Sequence, residues 1–423
     1  MSTRTLHPQL FGKKADNKFQ PRWYQEESIV EGLRFFNSDK GPNEIQVIPS
    51  GGGKSICIAG IADRFDKPVL ILQPSQEILK QNYAKYVSYG GHAGIFSASV
   101  GRKDLGHVTF ASIQSIMSKG KNGYRVAHLF THFRHIIVDE CHYSVNARGG
   151  QYVDFLAMLD NPRVLGFTAT PFRLYPHFDS SMLKFITRTR PRIFGALGYY
   201  VQINTLKEQG FLAPTKYFSL AKDFKFNRID LKVNTTGADY DESFLKKYYE
   251  SINFKEDVVS VIRRINKKGR RVIAFASFVD DAQYISAALG NSATVHGKTP
   301  KNERSRIEKE FKSGKLRSVV NVGCWTTGFD DEYLDCVLLA RPMRSLSLYY
   351  QMLCRGIRYP KDYPDKETWM VCMAGNMNVF GKVEDIMVDF DKRNLPVITG
   401  TGGRLLTGVS LNEQETGVFD GFK

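Results

Sequence analysis

The sequence predicts an α/β protein of two tandem halves, each a mostly parallel sheet flanked by helices. Three observations carry that reading. Apolar runs of strand length recur along the chain without the polar alternation of a half-exposed strand, as strands covered on both faces require. Segments of helical periodicity lie between them, and this alternation is the pattern of a parallel sheet with crossover helices. The rhythm breaks once near the middle and then resumes. A chain of 423 residues suits two or three domains at roughly 100–200 residues each.

Residues 1–20 are polar and basic and read as an arm. Strands are expected at Glu44–Ile48, Pro68–Leu72, His135–Val138 and Arg163–Phe167, with helices such as Ser55–Phe65 and Gln76–Val87 between them. The stretch 172–241 breaks the pattern with Pro176, Pro191, Pro214 and the basic run 187–192; proline and glycine punctuate regular structure. Strands return at Arg271–Ala276, Ala293–His296, Ser318–Val322, Cys336–Ala340 and Thr368–Met373. These marks place a first domain at 21–190, a basic inter-domain connection at 191–250 and a second domain at 251–390. Residues 391–423, rich in Gly and Thr, read as a tail.

Fifty-nine Lys and Arg against 43 Asp and Glu give a net charge of +16. Such an excess suits a polyanionic partner, because Lys and Arg displace the counterions of a phosphate backbone. No apolar run approaches the ~18 residues that span a bilayer, and the first residues hold no signal-peptide core. We therefore expect no membrane partner and a cytoplasmic location. The six cysteines, at 57, 141, 324, 336, 354 and 372, form no C-x-x-C pair, so no structural zinc is expected. His128, His132, His135, Cys141 and His142 crowd together. His135 and Cys141, however, would stand about 20 Å apart at opposite ends of a strand rising ~3.3 Å per residue.

Two motifs carry chemistry. Pro49, Ser50, Gly51, Gly52, Gly53, Lys54 and Ser55 follow a strand and open a helix. Glycines let backbone N–H groups turn inward around phosphate oxygens, and the helix N-terminus adds its positive end. Lys54 would reach the outer phosphates of ATP, and the Ser55 hydroxyl would ligate Mg²⁺. The full phosphate-loop pattern has glycine where this chain has Ile48. The apolar run His135–Val138 then ends in Asp139 and Glu140. Asp139 would hold Mg²⁺, and Glu140 would orient and deprotonate the attacking water.

Together, Gly51–Ser55 and Asp139-Glu140-Cys141-His142 resemble the signature of a DExH-type superfamily 2 helicase, and further motifs follow in that family's order. Arg22, Tyr24 and Gln25 resemble the upstream motif whose glutamine reads adenine. Pro74, Ser75 and Gln76, then Ser112 and Gln114 within 109–115, resemble motifs that contact the strand backbone. Thr168 and Thr170, in the run 168–171, resemble the motif coupling nucleotide state to domain closure, with His142 as a further relay. The second half matches through Ser277 after 272–276, His296 in 296–298, and the run 321–330 with Trp325, Thr326, Gly328 and Asp330. Gln351, Arg355 and Arg358 resemble the arginine-finger motif, with Cys354 where glycine is usual. The likeness covers roughly 20–390. Within the superfamily it is closest to RadD-type DNA helicases, on 209–214, 326–330 and 374–376, and to phage branch-migration helicases of the UvsW kind.

The resemblance implies two RecA-like domains with ATP in the cleft between them. Gly328 and Asp330 would lie near the ribose. Arg355 and Arg358, with Gln351, would meet the γ-phosphate when the halves close. Ser277, His296, Trp325 and Thr326 would contact the nucleic acid, Trp325 either by stacking on a base or by packing. The implied activity is DNA-dependent ATP hydrolysis driving movement on single-stranded, forked or branched DNA, with DNA preferred to RNA.

Overall fold

The computed structural model describes residues 20–412 except 121–122, 125, 145–149, 178–179, 326–328, 330 and 361. Thr326, Gly328 and Asp330 lie outside the described residues, as do 1–19 and 413–423.

Among the described residues the first sheet has eight strands. Their order is Ala196–Tyr200, Glu44–Val47, Arg163–Thr168, His135–Asp139, Val69–Leu72, Val108–Ala111, Gly94–Ser97 and Arg102–Lys103. All pairings are parallel except the last. The strands Val69–Leu72 and His135–Asp139 are buried at every residue, which is why Val69–Leu72 and Ile136–Val138 read as unbroken apolar runs. The second sheet runs Thr215–Ser219, Thr368–Cys372, Cys336–Ala340, Val272–Ala276, Ser318–Val322 and Ser292–His296, parallel throughout. Two mostly parallel sheets with helices between their strands are the architecture expected from the sequence. No helix among the described residues is long and apolar enough to cross a membrane.

The segment expected as a connection is drawn differently. Ala196–Tyr200 is an edge strand pairing with Glu44–Val47, and Thr215–Ser219 is an edge strand pairing with Thr368–Cys372. Edge strands are partly exposed, so they lack the buried apolar signature that marks the others; the pattern of Ala196–Tyr200 has no buried residue. Only 201–214 then passes between the sheets. The basic run 187–192 is packed rather than loose: Thr187 and Thr189 are buried, and Arg188 pairs with Asp391 at 2.9 Å.

The expected tail is also folded through residue 412. Met387–Phe390 and Pro396–Thr399 form an antiparallel hairpin, and Leu406 and Leu411 are buried. This segment touches both halves. Gly408 N–H donates to the Leu183 carbonyl at 2.7 Å, and the Gln202 amide exchanges hydrogen bonds with the Val388 backbone. Arg344 Nη2 donates to Asn412 Oδ1 at 2.5 Å.

Candidate active site and strand groove

In parallel α/β sheets, ligands gather at the carboxyl ends of the strands. The first-half motifs lie there because each follows a strand: the glycine loop after Glu44–Val47, Pro74–Gln76 after Val69–Leu72, Ser112 after Val108–Ala111, Glu140 after His135–Asp139, and Thr170 after Arg163–Thr168. In the second half Ser277 and Trp325 follow Val272–Ala276 and Ser318–Val322 in the same way, and His296 ends the strand Ser292–His296.

The loop 49–55 has the geometry of a phosphate cradle. Gly51 and Gly53 have φ of +84° and +81°, values that L side chains rarely adopt. A Cβ on Gly53 would lie 2.5 Å from the Gln25 amide nitrogen. Lys54 and Ser55 form the first turn of the helix Lys54–Arg64. The Gln25 amide donates to the Gly52 carbonyl at 2.9 Å and accepts from the Arg22 N–H at 2.9 Å. In this arrangement Gln25 shapes the phosphate loop, rather than presenting a free amide to a base. Tyr24 assists through its hydroxyl, which donates to the same carbonyl at 2.9 Å. Arg22 lies 4.6 Å over the ring of Phe211.

The acid pair sits beside the loop. Lys54 Nζ is 3.1 Å from Glu140 Oε1. Glu140 takes a left-handed conformation, φ 47°, and its buried Oε2 makes no hydrogen bond, with His142 Nδ1 3.4 Å away. Asp139 accepts from Asn82 Nδ2 and from the Glu140 N–H, both at 2.9 Å. Burial and the neighbouring Glu140 charge push the Asp139 carboxyl up, against Lys54 and its hydrogen bonds. Burial also acts to raise Glu140, but Lys54, His142 and Arg355 outweigh it and hold Glu140 below the carboxylate range. The strongest acid of the pair is therefore the one beside the lysine. Two carboxyls, one cation and an unfilled acceptor fit a divalent ion and a phosphate chain better than they fit each other.

His142 links this centre to the other half. Burial pushes its imidazole down to about 4, with Glu140 opposing and Lys54 and Arg173 assisting, so it is neutral near pH 7. Its Nδ1 lies 2.9 Å from Thr168 Oγ1 and 3.4 Å from Thr170 Oγ1. Its Nε2 lies 3.3 Å from Gln351 Nε2. This arrangement assigns the proton to Nδ1 and leaves Nε2 to accept from Gln351. Arg355 faces Glu140 electrostatically and donates through Nη1 to the Phe329 carbonyl at 2.8 Å. A Cβ on Gly51 would lie 3.5 Å from Arg358 Cγ. Gln351, Arg355 and Arg358 of the second half thus meet His142, Glu140 and Gly51 of the first at one cleft.

A cavity of about 500 Å³ lies along the first half, lined by Pro74, Ser75, Gln76, Ser112 and Gln114 among others. The sequence reading missed Ser99, Lys103, Ser115 and Ser118 on the same wall. Lys103 belongs to a two-residue strand that carries no periodicity. Ser112 and Ser115 share a 2.8 Å hydrogen bond. Lys301, from the second half, donates to Gln76 Oε1 at 3.1 Å. Ser277 lies 2.9 Å from the Tyr249 hydroxyl. The His296 N–H donates to Thr299 Oγ1 at 2.9 Å.

Trp325 departs from its stacking expectation. It is 4% exposed and stacks on Phe329 with centroids 4.3 Å apart and planes 17° off parallel. It is a packing residue, because the ring is covered from within. Trp325→Ala is expected to lower stability by about 3–5 kcal/mol, as large-to-small core changes do, measured by denaturant unfolding. Unchanged stability with weakened nucleic-acid binding would restore the stacking role.

Comparison with known proteins agrees with this geometry. The family model described as "Type III restriction enzyme, res subunit" matches residues 18–173, and "Helicase conserved C-terminal domain" matches 255–360. A 51.5 kDa protein of Lactococcus phage (isolate 7-9) is 27% identical over 319 residues, covering 74% of this chain and 62% of that one. DNA 3'-5' translocase XPB2 of Sulfurisphaera tokodaii is 23% identical over 346 residues, covering 74% of this chain and 73% of that protein. The solved structure of the ATP-dependent Type ISP restriction-modification enzyme LlaBIII bound to DNA superposes with a TM-score of 0.58 at 15% identity. That likeness is one of fold; it covers 84% of this chain and 27% of the enzyme.

Proposed function

Since the chain belongs to superfamily 2 of the helicases, we propose that it is an ATP-driven motor on DNA. The observation that carries this reading is the convergence of Lys54, Glu140, Gln351, Arg355 and Arg358 on one cleft between the two sheets. The loop 49–55 and Lys54 would hold the phosphates of ATP. Ser55 and Asp139 would hold Mg²⁺, which when bound supplies positive charge against the phosphate oxygens. Glu140 would accept a proton from the attacking water. Arg355 and Arg358 would stabilise charge on the transferring phosphoryl group once the halves close. Gln351, His142, Thr168 and Thr170 form a hydrogen-bonded path from that closure to the first sheet. The groove lined by Ser75, Gln76, Ser112 and Gln114 would hold the strand backbone, and such contacts position without reading sequence.

We place forked or branched DNA as the preferred substrate in a prokaryotic or phage-infected cytoplasm, on the RadD-like and UvsW-like motifs. The match to a restriction-enzyme model supports a second reading, translocation along duplex without unwinding. Strand displacement from a fork supports the first reading; displacement of a triplex-forming strand without unwinding supports the second. In either case, binding without nucleotide should weaken steeply with salt. Neutralising ~6–10 phosphates costs about 10³–10⁵ in affinity between 50 and 200 mM, measured by fluorescence anisotropy. A salt-insensitive affinity would contradict the backbone-contact account.

A further inference from the structure

Beyond the helix Leu346–Leu353 the chain leaves regular structure and carries Arg355 and Arg358 on an irregular loop. Something other than a helix must therefore fix where the guanidinium groups point. The carbonyls of this loop are held from below. The Thr368 hydroxyl donates to the Gly356 carbonyl at 2.7 Å, and the Ala213 N–H donates to the Ile357 carbonyl at 2.8 Å. Three further ties come from one side chain. Lys366 is 1% exposed, and its Nζ donates to three carbonyls: Glu332 at 2.6 Å, Gly356 at 2.8 Å and Arg358 at 2.6 Å.

Three N–H donors therefore meet three backbone acceptors. Burying an ammonium carries a large desolvation cost unless its donors are all satisfied. No carboxylate pairs with Lys366 within ion-pair distance among the described residues, so backbone dipoles supply that compensation. Burial pushes the ammonium down to about 8, with Asp335 and Asp331 opposing, Arg271 assisting and Glu332 opposing. Two of the three acceptors, Gly356 and Arg358, belong to the arginine loop itself. The third belongs to the loop that follows Phe329, the residue whose carbonyl holds Arg355.

We infer that Lys366 is a positioning residue: its ammonium clamps the backbone of the arginine loop and so sets the place of Arg358, and with it Arg355, in the nucleotide cleft. This rests on the arginine-finger reading of the previous section. Lys366 touches neither ATP nor the reacting atoms. Its effect should reach turnover through the arginines alone.

The test uses the full chain with saturating DNA. Lys366→Met keeps the length of the side chain and removes its donors. Its kcat should fall on the order of 10²-fold, the cost of misplacing a catalytic group by about 1 Å. Its KM for ATP should stay within roughly twofold, because the first half still holds the phosphates. In the Arg358→Ala background the same change should cost far less than it does alone, since residues acting as a unit are not additive. A folded Lys366→Met with wild-type kcat would overturn the inference, and so would a loss confined to KM or full additivity with Arg358→Ala. Should Lys366→Met unfold at the assay temperature, Lys366→Arg decides. It keeps the charge and donors in a flat fork that does not reproduce the three-way clamp. It should lower kcat about tenfold at unchanged KM; unchanged kcat would overturn the inference. A wild-type chain without DNA-dependent turnover would instead remove the motor reading itself, and the clamp with it.

Discussion

Replacing Lys54 with alanine should abolish ATP hydrolysis. Lys54 is the cation nearest the acid pair, 3.1 Å from Glu140, and it stands at the mouth of the glycine loop. Removing a single preorganised electrostatic contact costs about 10²–10³ in turnover, and a full charge on the phosphates should cost at least as much. The variant also leaves Glu140 without its main counter-charge, which should raise that carboxyl toward the neutral form. Glu140→Gln separates the two roles. It should still bind ATP and DNA, but turn over about 10²–10⁴-fold more slowly, the usual contribution of a general base. Single-turnover hydrolysis and equilibrium nucleotide binding, measured together, check both. Near-normal hydrolysis by either variant would move the chemistry elsewhere.

Arg355→Ala and Arg358→Ala should each cut turnover by about 10³-fold or more, as loss of an arginine finger does, while ATP binding suffers less. The reason is geometric. The phosphate loop, Lys54 and the acids come from the first half, whereas both arginines come from the second and face Gly51 and Glu140. Removing them should therefore leave ground-state binding largely intact and raise the barrier. A variant that loses binding but keeps its maximal rate would make the arginines simple nucleotide anchors.

The parts legible in the sequence were those where burial imposes a one-letter pattern. His135–Asp139 is buried at every position, so its three apolar residues, Ile136, Ile137 and Val138, and the acids that end it are legible directly. The glycine loop and the acid pair also occupy short stretches following a strand, where local sequence and local structure coincide. What escaped the reading depends on distant partners. Asn82 meets Asp139 across 57 positions and Trp23 meets Gln209 across 186; no spacing rule connects them. Lys366 lies in an irregular stretch whose meaning comes from three carbonyls brought there by the fold. Trp325 could be weighed for stacking or packing, and only its contact with Phe329 decided between them. The hairpin Met387–Phe390 with Pro396–Thr399 escapes the sequence because its two strands are four residues each. The engagement of the Gln25 amide by Gly52 and Arg22 likewise depends on the fold and not on local spacing.

The central claim is that nucleic acid drives closure of the cleft and closure drives hydrolysis. It is tested most directly by steady-state ATP turnover of the chain alone and with single-stranded DNA, duplex, forks, four-way junctions and RNA. The account expects weak turnover alone, strong stimulation by DNA, the largest response to forked or branched forms, and little dependence on base sequence, because phosphate contacts carry no base information. Turnover that is the same with every nucleic acid as with none would contradict it.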